Sequence, residues 1–281
     1  MTVALDVSWR RCINSWISEC LENGHTVESI VQSMAGDGFD KDIATETVHT
    51  LLAGEFPADS SYEYDSGPIS PDRSFHAHDR TVHVLLRTEK PQTILFGDVL
   101  SADECDQLIQ LSRPRMQPST IIDSETGQLV PADSRASESY TFALSEDPFI
   151  DRIDRRISAL MNWPLEYGEG LQVVHYGVGG EFLPHFDFYP PKDPGSAAHF
   201  LFGGQRVATL IVYLNDVEAG GATEFTETGM SFTPRMGQAL YFRYFNNIGQ
   251  LDPMTRHAGL PVLTGEKWIV TKWMRRYRYH R

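Results

Sequence analysis

The chain has 281 residues, 41% of them hydrophobic and 22% charged, a composition that fits one large globular domain with a small additional unit. Its formal charge of -14 argues against nonspecific binding to phosphate backbones, and no apolar run approaches the roughly 18 residues of a membrane-spanning helix, so we expect no nucleic-acid partner and no membrane. The N-terminal residues lack a signal-peptide pattern and the three cysteines lack metal-type spacing, which favours a reducing compartment and a cytoplasmic location.

The first 54 residues predict a small helical bundle. Apolar residues recur at helical spacing after Ser8, which can cap a first helix, and again over Val27–Met34 and after Asp40. The bundle is either a docking module for a substrate or partner, or a structural cap or dimerisation arm. The sequence leaves both open, together with the oligomeric state. Residues 55–80, rich in Pro, Ser, Asp and Gly, predict a linker.

A larger domain is predicted over residues 81–281. A capping box at Ser101-Ala-Asp-Glu104 and the pair Asp147-Pro148 each open an amphipathic helix. Short β-rich runs separated by Gly and Pro clusters then follow at residues 171–176, 182–188, 207–214, 238–245 and 268–274. Supporting helices followed by many short strands predict an α+β fold with a double-stranded β-helix, or jelly-roll, core.

The residues with the clearest chemical meaning lie in Pro184-His-Phe-Asp-Phe188. On a strand, residues two apart project from the same face, so His185 and Asp187 can hold one metal ion together. With a second, distant histidine they would form the two-histidine, one-carboxylate triad of non-haem Fe(II) oxygenases, which leaves positions for a 2-oxo acid and O2. His257, 72 residues further on, is the candidate for that third ligand.

Lys267 follows His257 by ten residues and is the candidate for anion binding. If His257 ends one strand and Lys267 enters the next, the ammonium can face the cavity behind the metal. A buried lysine without a partner is costly. The position therefore suits the far carboxylate of a dicarboxylic co-substrate.

Several stretches of the chain resemble the prolyl 4-hydroxylase family in their residues, order and spacing, and the resemblance extends from about residue 94 to residue 276. They are Tyr176-Gly-Val-Gly-Gly180, Pro184-His-Phe-Asp-Phe188, Gly220-Gly-Ala-Thr-Glu-Phe225, and Thr255-Arg-His-Ala258 continuing through Gly265-Glu-Lys-Trp268 to Lys272-Trp273.

The resemblance implies roles for individual side chains. The iron ligands, which are also the catalytic residues, would be His185, Asp187 and His257. Lys267 would pair with the 5-carboxylate of 2-oxoglutarate, and the family positions matched by Tyr176 and Thr209 hydrogen-bond the same carboxylate.

The resemblance also implies a 2-oxoglutarate-dependent dioxygenase similar to procollagen-proline 4-dioxygenase, with Fe(II), 2-oxoglutarate and O2 as cofactor and co-substrates and ascorbate as a further candidate. Prolyl residues in a peptide or protein would be hydroxylated, and succinate and CO2 released. A free amino acid or other small molecule stays open as the substrate, and so does a non-catalytic binding module on the same fold.

One departure from the family and two further features bear on the substrate. The family often carries a tyrosine facing the substrate where this chain has Phe182, so a hydrogen bond at the substrate mouth is lost. The turn-rich stretch Tyr189–Gly204 lies where the family has a mobile covering loop and is predicted to be a lid. Trp273 is either a wall of the site or a core residue.

Overall fold

The computed structural model describes residues 16–53, 62–131, 134–191 and 193–280. The N-terminal half of the first predicted helix, including Ser8, lies outside these residues. The α-helices in the described residues are 16–22 (α1), Val27–Gly36 (α2), Lys41–Ala53 (α3), Ala102–Ser112 (α4), Pro148–Met161 (α5) and Ala197–Phe200 (α6). Single 3-10 turns occupy Arg113–Arg115, Leu165–Tyr167, Pro194–Ser196 and Pro253–Thr255.

The strands are short, as the spacing of Gly and Pro predicts. In chain order, β1 to β17, they are Ser74–Ala77, Arg80–Glu89, Gln92–Gly97, Gln117–Pro118, Thr120–Ile122, Leu129–Pro131, Glu138–Phe142, Leu171–Tyr176, Phe182–His185, Arg206–Tyr213, Ala219–Gly220, Thr223–Phe225, Met230–Phe232, Ala239–Arg243, His257–Gly259, Val262–Thr264 and Lys267–Arg275. All five predicted β-rich runs therefore contain a strand.

Antiparallel pairing joins these strands into one large and one smaller sheet, with two further strand pairs. The large sheet has nine strands in the order β1-β2-β3-β14-β10-β17-β8-β7-β4, and the smaller one has four in the order β13-β12-β15-β9. The remaining pairs are β11-β16 and β5-β6. The protein is thus a mixed helix and strand structure built on a large antiparallel sheet.

Strand β10 shows that the centre of the large sheet is buried on both faces. Because side chains alternate along a strand, Leu210 and Val212 enter the apolar core that lies under helices α4 and α5. Ile211 and Tyr213 belong to a second core, which is shared with the small sheet. Thr209 has the parity of this second face, so a polar side chain is held where the two sheets meet.

The two predicted helix starts in the larger domain are confirmed. Asp147 accepts the backbone N–H groups of Phe149 and Ile150, with Pro148 at the first helical position. Ser101 and Glu104 form the reciprocal capping box of α4. The apolar stripe of α5, which comprises Ile150, Ile153, Ile157 and Leu160, is completely buried against the large sheet.

Helices α1, α2 and α3 share a separate small core, formed by Ile17, Ile30, Val31, Met34, Ala44 and Val48. The Thr26 hydroxyl caps α2 by accepting the backbone N–H of Ser29. Within the described residues, no helix has both the length and the apolar character needed to cross a bilayer.

The structure corrects the extent of the predicted linker, which was placed at residues 55–80. Strand β1 begins at Ser74, and Asp65 pairs with the guanidinium of Arg243 in β14. The Asn246 side-chain amide donates to the Glu63 carbonyl at 2.9 Å. Residues 62–80 thus lie against the large sheet, because the buried Arg243 takes its counter-charge from this segment.

Candidate metal centre and active site

Three side chains that are far apart in the sequence meet between the two sheets. The candidate ligand atoms of His185, Asp187 and His257 all lie within 4.8 Å of one another. Each histidine Nε2 is 3.7 Å from a different oxygen of the Asp187 carboxylate. The structure therefore brings together the three residues that the sequence singles out as metal ligands.

Each of the two histidines lies at one end of a strand, whereas the aspartate lies outside the strands. Strand β9 ends at His185 and β15 begins at His257, and these two residues are paired in register. Asp187 lies in the bend after β9, so the prediction that one strand carries both His185 and Asp187 is wrong. The prediction that His257 ends its strand is also wrong, since it is the first residue of β15.

Backbone carbonyls fix the tautomer of each imidazole. His185 Nδ1 lies 2.9 Å from the Leu183 carbonyl oxygen, and His257 Nδ1 lies 3.0 Å from that of Thr255. A carbonyl only accepts, so Nδ1 must carry the proton in both rings. The lone pair is therefore on Nε2, the atom that faces Asp187, which is the arrangement of metal-ligating histidines.

The protonation states of His185 and Asp187 favour the binding of a cation. Burial and the adjacent His257 lower the pKa of the His185 imidazole to about 3, so this ring is neutral at physiological pH. Burial raises the pKa of the Asp187 carboxyl, but the two imidazoles, Arg206 and a hydrogen bond from Thr209 outweigh it and hold the pKa below its usual value. Two imidazole nitrogens and one carboxylate form a donor set that fits Fe(II).

Thr209, which the sequence analysis places near 2-oxoglutarate, is hydrogen-bonded to the Asp187 carboxylate. Its hydroxyl donates to Asp187 Oδ2 at 2.7 Å, and the Tyr244 hydroxyl lies 3.2 Å from the same Thr209 oxygen. A threonine has one proton to donate. With that proton on Asp187, Thr209 orients a proposed metal ligand and has no donor left for a second carboxylate.

Lys267 lies at the start of β17, opposite Tyr176 of β8, with 2% of its surface exposed. Its ammonium is 5.4 Å from the centre of the Tyr176 ring. In the part of the chain that the structure describes, no carboxylate lies within ion-pair distance of this ammonium. Burial therefore lowers the pKa of Lys267 to about 7. An anionic ligand would supply the counter-charge that this ammonium lacks.

A glycine lies close to both Lys267 and Phe182. A Cβ on Gly259 of β15 would lie 3.9 Å from Lys267 Nζ and 3.7 Å from Phe182 Cβ. A larger residue would project a side chain towards these groups. The small residue and the uncompensated ammonium together fit the far carboxylate of a dicarboxylic acid whose other end reaches the cluster.

A cavity of about 960 Å³ opens on the side of His185 and Asp187. Lys267, Tyr176 and Thr209 are not among its lining residues. The cavity therefore does not include the region of Lys267. The cavity suits a primary substrate, and the Lys267 side suits a co-substrate.

Two lining residues that the sequence analysis missed are Arg206 and Glu169. The Arg206 guanidinium pairs with the buried Glu169 carboxylate at 2.7 Å and donates to the Asp187 carbonyl at 3.1 Å. It also lies 4.0 Å from the centre of the Trp273 ring. Trp273 is therefore a wall residue of the cavity, held by a cation-π contact. No sequence motif marks this arrangement, because the three residues lie on different strands and loops.

Phe182 packs against the first candidate ligand. Its ring stacks on the His185 imidazole with 3.6 Å between centroids, and the Arg135 guanidinium lies over it at 4.8 Å. The phenylalanine ring thus restrains His185, while the hydroxyl that a tyrosine would bring to this position is absent.

Comparison with known proteins agrees with this geometry. Residues 171–275, which contain every residue assigned above to the candidate metal and anion sites, match the family model described as the 2OG-Fe(II) oxygenase superfamily. "Probable prolyl 4-hydroxylase 10" of Arabidopsis thaliana is 36% identical over 209 residues, which cover 68% of this chain and 71% of that protein. The chain belongs to the prolyl 4-hydroxylase family.

Further relatives include animal and viral proteins. Prolyl 4-hydroxylase subunit alpha-1 of Rattus norvegicus is 42% identical over 186 residues, or 66% of this chain. The match spans 35% of the rat protein, so this chain corresponds to about a third of the animal subunit. The solved 2OG complex of the viral collagen prolyl hydroxylase from Paramecium Bursaria Chlorella virus-1 superposes with a TM-score of 0.50 and 27% identity, covering 65% of this chain and 94% of that one.

Proposed function

We propose that this protein is an Fe(II)- and 2-oxoglutarate-dependent dioxygenase that hydroxylates prolyl residues in a peptide or protein. The observation that carries the proposal is the cluster of His185, Asp187 and His257, together with the buried, uncompensated ammonium of Lys267. The relatives support it, because they are prolyl hydroxylases, and the matching family model covers the segment that contains all four residues.

In this proposal His185 Nε2, His257 Nε2 and the Asp187 carboxylate hold the iron, and Lys267 holds the 5-carboxylate of 2-oxoglutarate. Bound together, Fe(II) and 2-oxoglutarate supply the power to hydroxylate an unactivated C–H bond with O2, releasing succinate and CO2. Tyr176, buried opposite Lys267, would hydrogen-bond the same 5-carboxylate. Phe225 and Phe242 of the second core pack against the His257 ring, with centroids 5.9 and 4.7 Å away, and such apolar contacts limit competing water.

The protein's own groups hold the reacting partners in place. The Leu183 and Thr255 carbonyls keep both Nε2 atoms available, and the Thr209 hydroxyl holds the Asp187 carboxylate in one orientation. Arg206 holds the backbone of Asp187 and stacks on Trp273, so the cavity wall and a proposed ligand are fixed by one side chain. A substrate in the cavity would therefore meet the metal from the side of His185 and Asp187.

A peptide substrate is favoured over a free amino acid by the cavity of about 960 Å³, which is far larger than one amino acid needs. We further infer that the two sheets form a jelly-roll core and that residues 81–281 form the catalytic domain, to which residues 62–80 are attached. A cytoplasmic location and a use of ascorbate stay predictions.

The test begins without a primary substrate. Under anaerobic conditions, Fe(II) and then 2-oxoglutarate are added, and the visible charge-transfer band of a chelated 2-oxo acid is recorded, with His257→Ala as the control. Prolyl peptides and free proline are then compared by succinate release and by mass spectrometry of the peptide. A band in the folded wild type alone, followed by peptide hydroxylation, supports the proposal. A folded wild type without the band would favour the binding-module alternative.

A further inference from the structure

The stretch Tyr189–Gly204, predicted as a lid, touches both the cavity and the N-terminal helices. We call it the covering segment; it is described for residues 189–191 and 193–204. Helices α1 to α3, residues 16–53, are called the helical unit, and Thr120–Pro131, which contains β5, β6 and their turn, is called the hairpin. The covering segment lies between the other two.

The inner side of the covering segment is tied to the hairpin. His199 Nε2 lies 2.9 Å from the Gly127 carbonyl oxygen, and the Gly195 N–H donates to the Ser124 carbonyl at 2.7 Å. The backbones are so close that a Cβ on Gly195 would lie 2.3 Å from Gly127 N. His199 is 8% exposed, and burial lowers its pKa to about 4, so the neutral ring donates its Nε2 proton to Gly127.

Both the covering segment and the hairpin border the cavity that is lined by His185 and Asp187. Tyr189 and Phe200 of the covering segment are buried in one apolar cluster with Ile122 of the hairpin. Ile122 and Tyr189 also line the cavity, together with His199. The shape of the cavity therefore depends on the contact between covering segment and hairpin.

The outer side of the covering segment is held by the helical unit. Leu201, two residues after His199, packs against the core of α1, α2 and α3, and α6 lies against α3. Glu46 of α3 pairs with Arg276 at 3.1 Å, just beyond the end of β17. A Cβ on Gly204 would lie 3.0 Å from Glu46 Oε2, so α3 also lies directly on the end of the covering segment.

We propose that the helical unit positions the covering segment for peptide binding, with Leu201 as the positioning residue on its outer side and His199 on its inner side. The inference rests on the proposed function in taking a peptide as the ligand of the cavity. The helical unit then acts on the site through the covering segment. Deleting the helical unit would impair peptide binding even if no substrate docked on it, so point substitutions are needed to test this role.

The test uses the full chain with Leu201→Asp, which places a charge in the core of the helical unit. Leu52→Asp is the matched control, since Leu52 is 47% exposed on α3 of the same unit. If the correctly placed covering segment falls to about a tenth of the molecules, the peptide KM rises about tenfold. The Leu52 variant should retain the wild-type peptide KM, and in both variants kcat, the KM for 2-oxoglutarate and the anaerobic charge-transfer band should be unchanged.

Hydrogen exchange provides a readout that needs no substrate. The hairpin is in contact with the covering segment through Gly127 and Ser124, and residue 201 lies on the other side. Leu201→Asp is therefore expected to accelerate exchange in the hairpin amides, as is His199→Ala, which leaves the helical unit intact. Leu201→Met should restore wild-type exchange. If circular dichroism shows that Leu201→Asp unfolds the helical unit, Leu201→Ala removes the contact without introducing a charge and takes its place.

The outcomes separate this inference from the proposed function. A wild type that forms the charge-transfer band but hydroxylates no prolyl peptide refutes the proposed substrate. The hydrogen exchange of the hairpin amides then decides by itself whether the helical unit acts on the hairpin through the covering segment. A Leu201 variant with wild-type hairpin exchange overturns the inference and makes the helical unit a passive cap. A raised peptide KM without faster hairpin exchange also overturns it, because the effect would then not pass through the covering segment.

Discussion

The protonation of Lys267 should control the binding of 2-oxoglutarate. In the ligand-free protein, burial lowers the pKa of Lys267 to about 7, so about half of the molecules carry the ammonium at neutral pH. A carboxylate bound beside it favours the charged form and raises the pKa of Lys267 in the complex. Binding is therefore strongest below pH 7, weakens as the pH rises above 7, and is accompanied by proton uptake.

The magnitude follows from the protonated fraction. At pH 8 only about one molecule in eleven is protonated, so the apparent affinity should be about fivefold lower than at pH 7, and about tenfold lower again at pH 9. At pH 8 binding should take up about 0.9 proton per 2-oxoglutarate, and at pH 6 only about 0.1. Both carboxylates of 2-oxoglutarate are ionised throughout this range and contribute no protons.

The assay is anaerobic titration calorimetry of the Fe(II)-loaded protein in buffers that differ in ionisation enthalpy. Loading the iron first keeps the heat and any proton exchange of metal binding out of the measurement. Lys267→Arg is the control, because a guanidinium stays charged throughout and should abolish both the proton uptake and the pH dependence. Equal proton uptake in Lys267→Arg, or a wild-type affinity independent of pH between 7 and 9, would refute the reasoning.

Three further predictions concern the metal ligands, Thr209, which is hydrogen-bonded to one of them, and the buried ion pair of Asp154 and Lys272. Asp187→Ala and His257→Ala should each remove the charge-transfer band and turnover while the circular dichroism spectrum is retained; a band in either variant would exclude that residue as a ligand. Thr209→Val, which deletes the donor to Asp187 Oδ2, should weaken Fe(II) binding about tenfold in a metal titration, with Thr209→Ser close to wild type. A change below about twofold would contradict its role. Asp154→Ala should lower the free energy of unfolding by about 3–5 kcal/mol in urea denaturation, because Lys272 is completely buried and would lose its partner at 2.6 Å. If Asp154→Leu combined with Lys272→Met were as unstable as the single variant, the loss could not be assigned to an unpaired charge.

The sequence correctly predicts those local features of the fold that depend on neighbouring residues. The capping box at Ser101 and the start of α5 at Asp147 are set by side chains bonding to N–H groups two or three residues away, so they are readable from the chain. The five β-rich runs in the larger domain also contain strands. In contrast, the β1 to β3 region was not predicted, and its first strand lies in the range assigned to a linker, because its place in the sheet depends on pairing between β3 and the distant β14.

The same division applies to the site. The sequence predicts the candidate ligands from residue type and spacing, and they are His185, Asp187, His257 and Lys267. This is possible because only a few side chains can bind a metal ion or a dicarboxylate. How these residues are held came from the tertiary structure. Asp187 lies beyond its strand and is oriented by Thr209, a residue 22 positions away that the sequence assigned to another carboxylate.

The sequence by itself determined the chemistry that the site can support and the type of most helices and strands around it. It left open whether the N-terminal helices dock a partner or cap the fold, because amphipathic periodicity shows which face of a helix is buried but not what lies against it. Only the tertiary structure placed Leu201 of the covering segment in the core of those helices and His199 against the hairpin beside the cavity. Contacts of this kind join residues more than 70 positions apart, and such long-range packing is set by the complete fold rather than by any local pattern.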